Sequence, residues 1–144
     1  MTQSLRLNIG AAYSHARFTS FPDATINTPL PTGGNRQQFG SADGNHLPYS
    51  PDATANVGFD YSWNVSGGKL DLDASYYYNG GWYPEADNVQ RQKAYELINS
   101  SLTWSTANDA YWVRLWGKNL ANRAVATQIS SSTLATAVAW PRAA

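Results

Sequence analysis

Strict alternation of apolar and polar residues between positions 53 and 64 constrains the fold more than any other feature of this chain. The apolar series occupies every second position: Ala53, Ala55, Val57, Phe59, Tyr61 and Trp63. The positions between them hold Thr54, Asn56, Gly58, Asp60, Ser62 and Asn64. Successive side chains of a β-strand point to opposite faces, whereas a helix would scatter these apolar residues around its circumference. This segment is therefore predicted to be a strand with one apolar and one polar face.

Four further segments repeat the same period, which gives five predicted strands. Their alternating series run over 5–13, 70–78, 98–104 and 111–117. The pattern is weakest in the third of these, where Leu97 stands among the polar positions. Each strand is expected to approach the ~9–11 residues that a tilted transmembrane strand needs, whereas strands of soluble proteins commonly have about 5–6.

The connections between these segments alternate between long and short. The long ones are Thr19 to Pro51, Gly80 to Lys93 and Ala121 to Ser132, and the short ones lie at 65–69 and 105–110. Long loops at one rim and tight turns at the other are typical of outer-membrane barrels. The first long connection holds five of the seven prolines, so it is expected to contain no strand.

Composition supports a chain with one face in lipid and the other in a polar lumen. Charged residues make up 14% of the sequence, where a soluble domain carries roughly 25%. Six Trp and nine Tyr accompany many Ser, Thr, Asn and Gly. The absence of Cys excludes disulfides and thiolate metal sites, and the zero net charge gives no electrostatic footprint for nucleic acid.

Aromatic residues cluster at the strand ends. Trp63, Trp104 and Tyr111 flank the short turns, while Tyr13 and Tyr78 lie beside the long connections. Amphipathic rings are most stable at headgroup depth, so these five residues are predicted to lie at the two membrane interfaces.

Three motifs resemble the late strands of the TonB-dependent receptor barrel. The first is Pro48-Tyr49-Ser50-Pro51-Asp52 followed by the strand that ends at Trp63. The second covers 95–104, and the third covers 113–120 and ends in Asn119-Leu120. The resemblance implies a barrel of about 22 strands whose lumen is occluded by an N-terminal plug domain. Members of that family import iron-siderophore complexes, cobalamin, haem or carbohydrates with energy transmitted by the TonB complex.

The resemblance also predicts how the chain is organised. Residues 1–144 are expected to form a C-terminal portion of the barrel, with five to six antiparallel up-and-down transmembrane strands in an all-β fold. The plug domain and the final strand, which in the family follows a pair like Pro141-Arg142, are expected to be absent. The implied location is the bacterial outer membrane. The implied partners are outer-membrane lipid, the remainder of the barrel and plug, and the TonB complex, with no nucleic acid.

Polar residues of the loops and of the lumen face are the predicted ligand contacts. They are Arg36, Gln38, Asp87 and Arg91, expected to be exposed in the loops, and Arg114, Trp116 and Lys118, expected to point into the lumen. No catalytic residue, metal site or cofactor is predicted, and the protein is not expected to be an enzyme. Asp71 and Asp73 share one face, which would allow a carboxylate pair but favours two lumen-facing residues of the barrel wall.

Two other classes of protein fit part of the pattern. A soluble β-sandwich or jelly-roll module that binds carbohydrate would need polar outer faces and shorter connections. A small complete barrel of the adhesin or OmpX type would need about three more strands, because the smallest barrels have about eight.

Overall fold

The computed structural model describes residues 4–131 and the backbone of 138–141, and this part of the chain is all-β. The strands are β1 (Ser4–Tyr13), β2 (Ala24–Pro29), β3 (Asn35–Gly40), β4 (Ala53–Val65), β5 (Gly68–Asn79), β6 (Tyr95–Thr106), β7 (Trp112–Gly117), β8 (Ala126–Ser130) and β9 (Val138–Pro141). Within the described residues, no helix is long and apolar enough to cross a membrane.

The main sheet has five strands in the order β1-β4-β5-β6-β7, and every neighbouring pair is antiparallel. These strands correspond to the five alternating segments, so the prediction of an all-β fold with antiparallel up-and-down strands is confirmed. Strand β1 pairs with β4 because β2 and β3 form a separate hairpin between them. The sheet does not close on itself: β1 and β7 are its edges in the described structure.

The register aligns the apolar positions of all five strands on one face. Ile9 lies opposite Val57, which lies opposite Tyr76, which in turn lies opposite Ile98. Side chains on this face are open to the surroundings, with Ile9 70% exposed and Leu115 76% exposed. The sheet of a soluble sandwich would bury such a face against a second layer. This one presents it outward, as the wall of a barrel presents its apolar band to lipid.

Both short turns lie at the same end of the sheet. Ser66 and Gly67 connect β4 to β5, and Gly67 adopts a positive φ of 82° that favours glycine. Between β6 and β7, the Thr106 amide donates to the Tyr111 carbonyl over 2.9 Å. All of the long connections therefore emerge at the opposite end.

The expectation that residues 19–51 contain no strand was wrong. The hairpin of β2 and β3 lies in this window, and its turn contains Gly33 and Gly34, both with positive φ. The prolines do not interrupt its pairing, since Pro29 is the last residue of β2 and Pro31 lies in the turn. The polar stretch after β7 likewise contains a strand, β8, which pairs with β9.

Strand β7 is shorter than expected, with six residues. Asn119 adopts a left-handed φ of 50°, which interrupts the strand just after Gly117. Pairing with β6 then resumes, because the Leu120 amide donates to the Ile98 carbonyl over 2.8 Å. The Leu120 side chain covers Gly117, where a Cβ would lie 2.6 Å from Leu120 Cδ2. This geometry gives the Asn119-Leu120 motif a structural role in ending the strand.

In a bilayer, a charge on the apolar face is expected to destabilise the folded sheet, whereas the same charge one residue away is not. Ile9→Lys places an ammonium group in the lipid-facing row and should cost about 2–4 kcal/mol of unfolding free energy. The neighbouring Asn8 lies opposite Gly58 on the polar face, so Asn8→Lys is the matched control. Guanidinium unfolding of the full-length protein in phospholipid vesicles measures both. Equal losses in the two variants would contradict the assignment of the faces.

Candidate ligand-binding loops and lumen face

The connection between β5 and β6 lies at the centre of the loop region. Its Trp82 ring is buried and lies 4.8 Å from the ring of Tyr49, and its Tyr83 ring lies 4.8 Å from the ring of His46. The Tyr49 amide donates to the Tyr83 carbonyl over 2.8 Å. The long first connection therefore packs directly on residues 80–94.

Two carboxylates of this central connection hold other loop segments. Asp87 Oδ2 accepts from the backbone amide of Asn27 over 3.0 Å and from its Nδ2 over 2.8 Å. Asn27 belongs to β2 and is 4% exposed, so these bonds are shielded from water. Glu85 accepts from the backbone amide of Ser131 over 3.0 Å and from its hydroxyl over 2.6 Å. The two carboxylates connect the β2–β3 hairpin with the segment that contains β8.

Asn88 also joins the central connection to the first long connection, through His46. Its Oδ1 accepts from the His46 amide over 2.7 Å, and its Nδ2 donates to the His46 carbonyl over 3.1 Å. Asn88 has a positive φ of 56°, a conformation that asparagine tolerates better than most residues. Nearby, Asn45 Nδ2 donates to the Ala86 carbonyl over 2.8 Å.

In the structure the first long connection covers residues 14–52, and an ion pair joins segments near its two ends. Both terminal nitrogens of Arg17 donate to the Asp52 carboxylate, over 2.9 and 3.1 Å, and His46 Nδ1 lies 3.7 Å from the same group. The hydrogen bond from Arg17 lowers the pKa of Asp52 below its ordinary value. Partial burial, assisted by the charge of Arg17, lowers the pKa of His46, although Asp52 opposes that shift. The packed loop therefore favours neutral His46.

The polar face of the main sheet carries charges of both signs. Asp60 lies directly opposite Asp73, and both line an open depression of about 330 Å³ together with Asp71 and Arg114. Arg114 Nε donates to Thr103 Oγ1 over 2.8 Å, while Asp71 pairs with Lys69 over 2.7 Å. The described residues contain no group of three or more His, Cys, Asp or Glu side chains placed to hold a metal ion.

The structure separates the predicted ligand contacts into distinct groups. Arg36 and Gln38 are exposed on β3 of the hairpin. Arg114 and Trp116 lie on the polar parity of β7, opposite Thr103 and Ser101.

Three of the four cations among the predicted ligand contacts lie near aromatic rings. Lys118 Nζ is 5.9 Å from the centroid of the Trp116 ring, and the Arg114 guanidinium is 5.8 Å from that of Trp112. Arg91 lies 5.4 Å from the centroid of the Tyr83 ring in the central loop. Contacts of this kind attract a cation to the face of the ring and restrict its position.

Asp87 was expected to be exposed, and that expectation was wrong. The residue is 9% exposed, and its second oxygen accepts from the Val89 amide over 3.1 Å. The carboxylate accepts hydrogen bonds from within the protein and does not face solvent. Buried Asn27 requires such a hydrogen-bond partner. Periodicity could not indicate this role, since Asn27 and Asp87 lie 60 residues apart in the sequence.

The predicted interface aromatics share the apolar parity and lie toward both ends of the sheet. Trp63 and Trp104 both lie opposite Leu70, next to the short turns. Tyr13 is the last residue of β1, and Tyr78 is the second to last residue of β5, at the end of the long loops. Tyr111 immediately precedes β7 and is exposed.

Sequence reasoning did not identify an open groove at the loop end of β5 and β6. Tyr78, Arg91, Lys93, Glu96 and Arg123 line this space of about 640 Å³, which we call the rim groove. The four charged residues come from positions 91–123, and Glu96 shares the apolar parity because it pairs with Tyr78, while Arg123 donates to Glu96. The spacing of these charged residues along the chain did not indicate that they line one groove.

Comparison with known proteins gives one family. Residues 2–120 match the family model described as TonB dependent receptor-like, beta-barrel. No curated protein and no solved structure matches the chain. The matched range includes the main sheet, the β2–β3 hairpin and the central loop.

Removal of the Asp87 carboxylate is expected to release the β2–β3 hairpin from the central loop. Asp87→Ala leaves the backbone amide of Asn27 without its acceptor and its Nδ2 with only the 3.4 Å bond to Glu85 Oε2, which should cost about 1–3 kcal/mol of local stability. Hydrogen exchange of amides in residues 24–40 measures the release. As a control, Asp23→Ala removes the same charge from an exposed position that immediately precedes β2. Unchanged exchange in the Asp87 variant would show that other contacts hold the hairpin.

The packing of the first long connection is expected to weaken as the pH falls from about 7 to 5. His46 has a lowered pKa in the packed loop, so the opened loop takes up a proton first as the pH drops below about 6.5. Asp52 stays ionised across this window because its pKa is lowered as well. Hydrogen exchange of residues 14–52, corrected for the intrinsic effect of pH, should therefore accelerate.

The two histidines of the chain separate this effect from a general effect of acid. His46→Gln should abolish the acceleration, whereas His15→Gln should preserve it, because His15 is exposed. An identical acceleration in the wild type and in His46→Gln would refute the role of His46.

Proposed function

Because the chain belongs to the TonB-dependent receptor-like β-barrel family, we propose that it forms wall and loops of a receptor that takes up a scarce nutrient. The family is one of transporters rather than enzymes, and it implies an outer-membrane location. The observation that carries the proposal is the main sheet, with an exposed apolar face on one side and a polar face on the other. Uptake would draw on energy from the TonB complex through other parts of the receptor.

The exposed apolar face favours lipid over water as the surroundings of the sheet. Leu5, Leu7 and Leu115 are all more than half exposed in the outward row. A soluble carbohydrate-binding sandwich would need these side chains buried. A small complete barrel would need the extra hairpin to join the main sheet, yet among the described residues β2 and β3 pair only with each other. Both alternatives fit the geometry less well.

Further strands of the same barrel would pair with the two edges of the sheet. Strands β1 and β7 each have one neighbour in the described structure. Backbone groups at a lipid-exposed edge need partners, since the bilayer core supplies no water. We assign residues 1–144 to a C-terminal portion of the receptor barrel, with outer-membrane lipid on one side and the plug domain on the other.

The nutrient would contact the polar face and the loops rather than the apolar face. Arg114, Trp116 and Lys118 offer cations and an indole on the lumen wall, and Arg36 and Gln38 offer polar groups on the hairpin. The wall also carries several Asp side chains, so both signs of charge are available to a ligand. A ferric siderophore, cobalamin or a carbohydrate presents polar groups that suit such a wall, and we propose a ligand of this kind.

The absence of Cys from the chain allows a direct test of orientation. Gln38→Cys places a thiol on the exposed hairpin, and Ser66→Cys places one in the short β4–β5 turn. A membrane-impermeant maleimide added to intact cells should label the Gln38 variant and not the Ser66 variant. After lysis, both should react, which controls for accessibility of the second thiol.

Two outcomes would contradict the proposed function. Recovery of the full-length protein in the soluble fraction would exclude a barrel in the outer membrane. Labelling of Ser66→Cys in intact cells, with Gln38→Cys protected, would show the opposite orientation. The long loops would then not lie at the cell exterior.

A further inference from the structure

Two residues that line the rim groove, Tyr78 and Glu96, belong to the apolar face of the sheet. Tyr78 and Glu96 are register partners, and both share the parity of the apolar face. The next row inward contains Tyr76 and Ile98, which are exposed on that face. If the sheet is a barrel wall, as proposed above, the groove opens at the outer surface of the barrel, where the lipid-facing band ends.

The rim groove carries an excess of positive charge. Arg123 Nε donates to Glu96 Oε1 over 3.0 Å, so this cation and this anion offset each other. Arg91 and Lys93 are exposed, and neither forms an ion pair with another described residue. The Tyr83 ring beside Arg91 restricts the guanidinium. Two cations are therefore available to a ligand in the groove.

We propose that the rim groove binds the phosphate group of an anionic membrane lipid. Lipid phosphates lie just outside the hydrocarbon region, at the depth where interfacial tyrosines such as Tyr78 are stable. A guanidinium can bind two phosphate oxygens at once, and an ammonium adds a point charge. The acyl chains would continue along the apolar row that begins at Tyr76 and Ile98. A nutrient in the lumen would meet the other face of the sheet.

The proposal is tested on the full-length receptor, extracted from outer membranes in dodecyl maltoside. Native mass spectrometry measures the adducts formed with phosphatidic acid and with phosphatidylcholine, in which choline shields the phosphate. The wild type should bind phosphatidic acid at least tenfold more tightly than phosphatidylcholine. Arg91→Gln combined with Lys93→Gln should weaken this binding about 30-fold, which corresponds to roughly fivefold for each cation removed.

Two further double variants separate local binding from folding and from total charge. Arg6→Gln with Lys69→Gln removes one Arg and one Lys from the part of the sheet nearer the short turns and should leave binding unchanged. Arg91→Lys with Lys93→Arg keeps both charges in the groove and should retain the preference for phosphatidic acid. Heat-dependent migration on gels reports whether each variant is folded.

Several results would overturn the proposal. Equal affinity for the two lipids would contradict a phosphate site in the rim groove. So would an equal loss of affinity for phosphatidic acid in the groove variant (Arg91→Gln with Lys93→Gln) and in the distant variant (Arg6→Gln with Lys69→Gln). Displacement of phosphatidic acid by an equal concentration of inorganic phosphate would assign the groove to a free anion. These results leave the proposed function in place when the receptor is recovered from the outer membrane, because that recovery is measured separately.

Discussion

Backbone hydrogen bonding between neighbouring strands is the constraint on which the rest of this structure depends. The bilayer core contains no water, so a strand within it must find partners for its amides and carbonyls on adjacent strands. Strand β4 meets this requirement with β1 on one side, along residues 53–62, and with β5 on the other, along residues 54–65. Continuous pairing also fixes the register, because slippage by one residue would turn every side chain to the opposite face.

The fixed register allows the two faces to differ completely. Leu72 belongs to the apolar row, while the adjacent Asp71 and Asp73 have the parity of the polar face, as Arg114 does. The loops add a second level of organisation that does not depend on the alternation. Glu85, Asp87 and Asn88 of the central connection join three loop segments through buried or half-buried hydrogen bonds. The rim groove lies where this loop assembly meets the lipid-facing side.

Prediction from the sequence succeeded where local pattern and packing require the same arrangement. The strand from Ala53 was predictable because its period serves both the pleat and the lipid boundary. The hairpin was missed because its prolines argued against pairing, although Pro29 lies at a strand end where its missing amide is tolerated. The expected length of β7 was wrong because the left-handed Asn119 ends the strand, a backbone property that alternation does not report.

The sequence by itself determined the all-β class, the five main strands, the apolar and polar parities and the rim at which each connection lies. These properties follow from side-chain periodicity, which acts over a few neighbouring residues. Tertiary structure decided that Asp87 is an internal acceptor for Asn27, that His46 packs between Tyr83 and Asp52, and that Arg91 shares a groove with Arg123. The pairs Asn27–Asp87, His46–Tyr83 and Arg91–Arg123 each lie more than 30 positions apart in the sequence, so only the folded loops could bring them together.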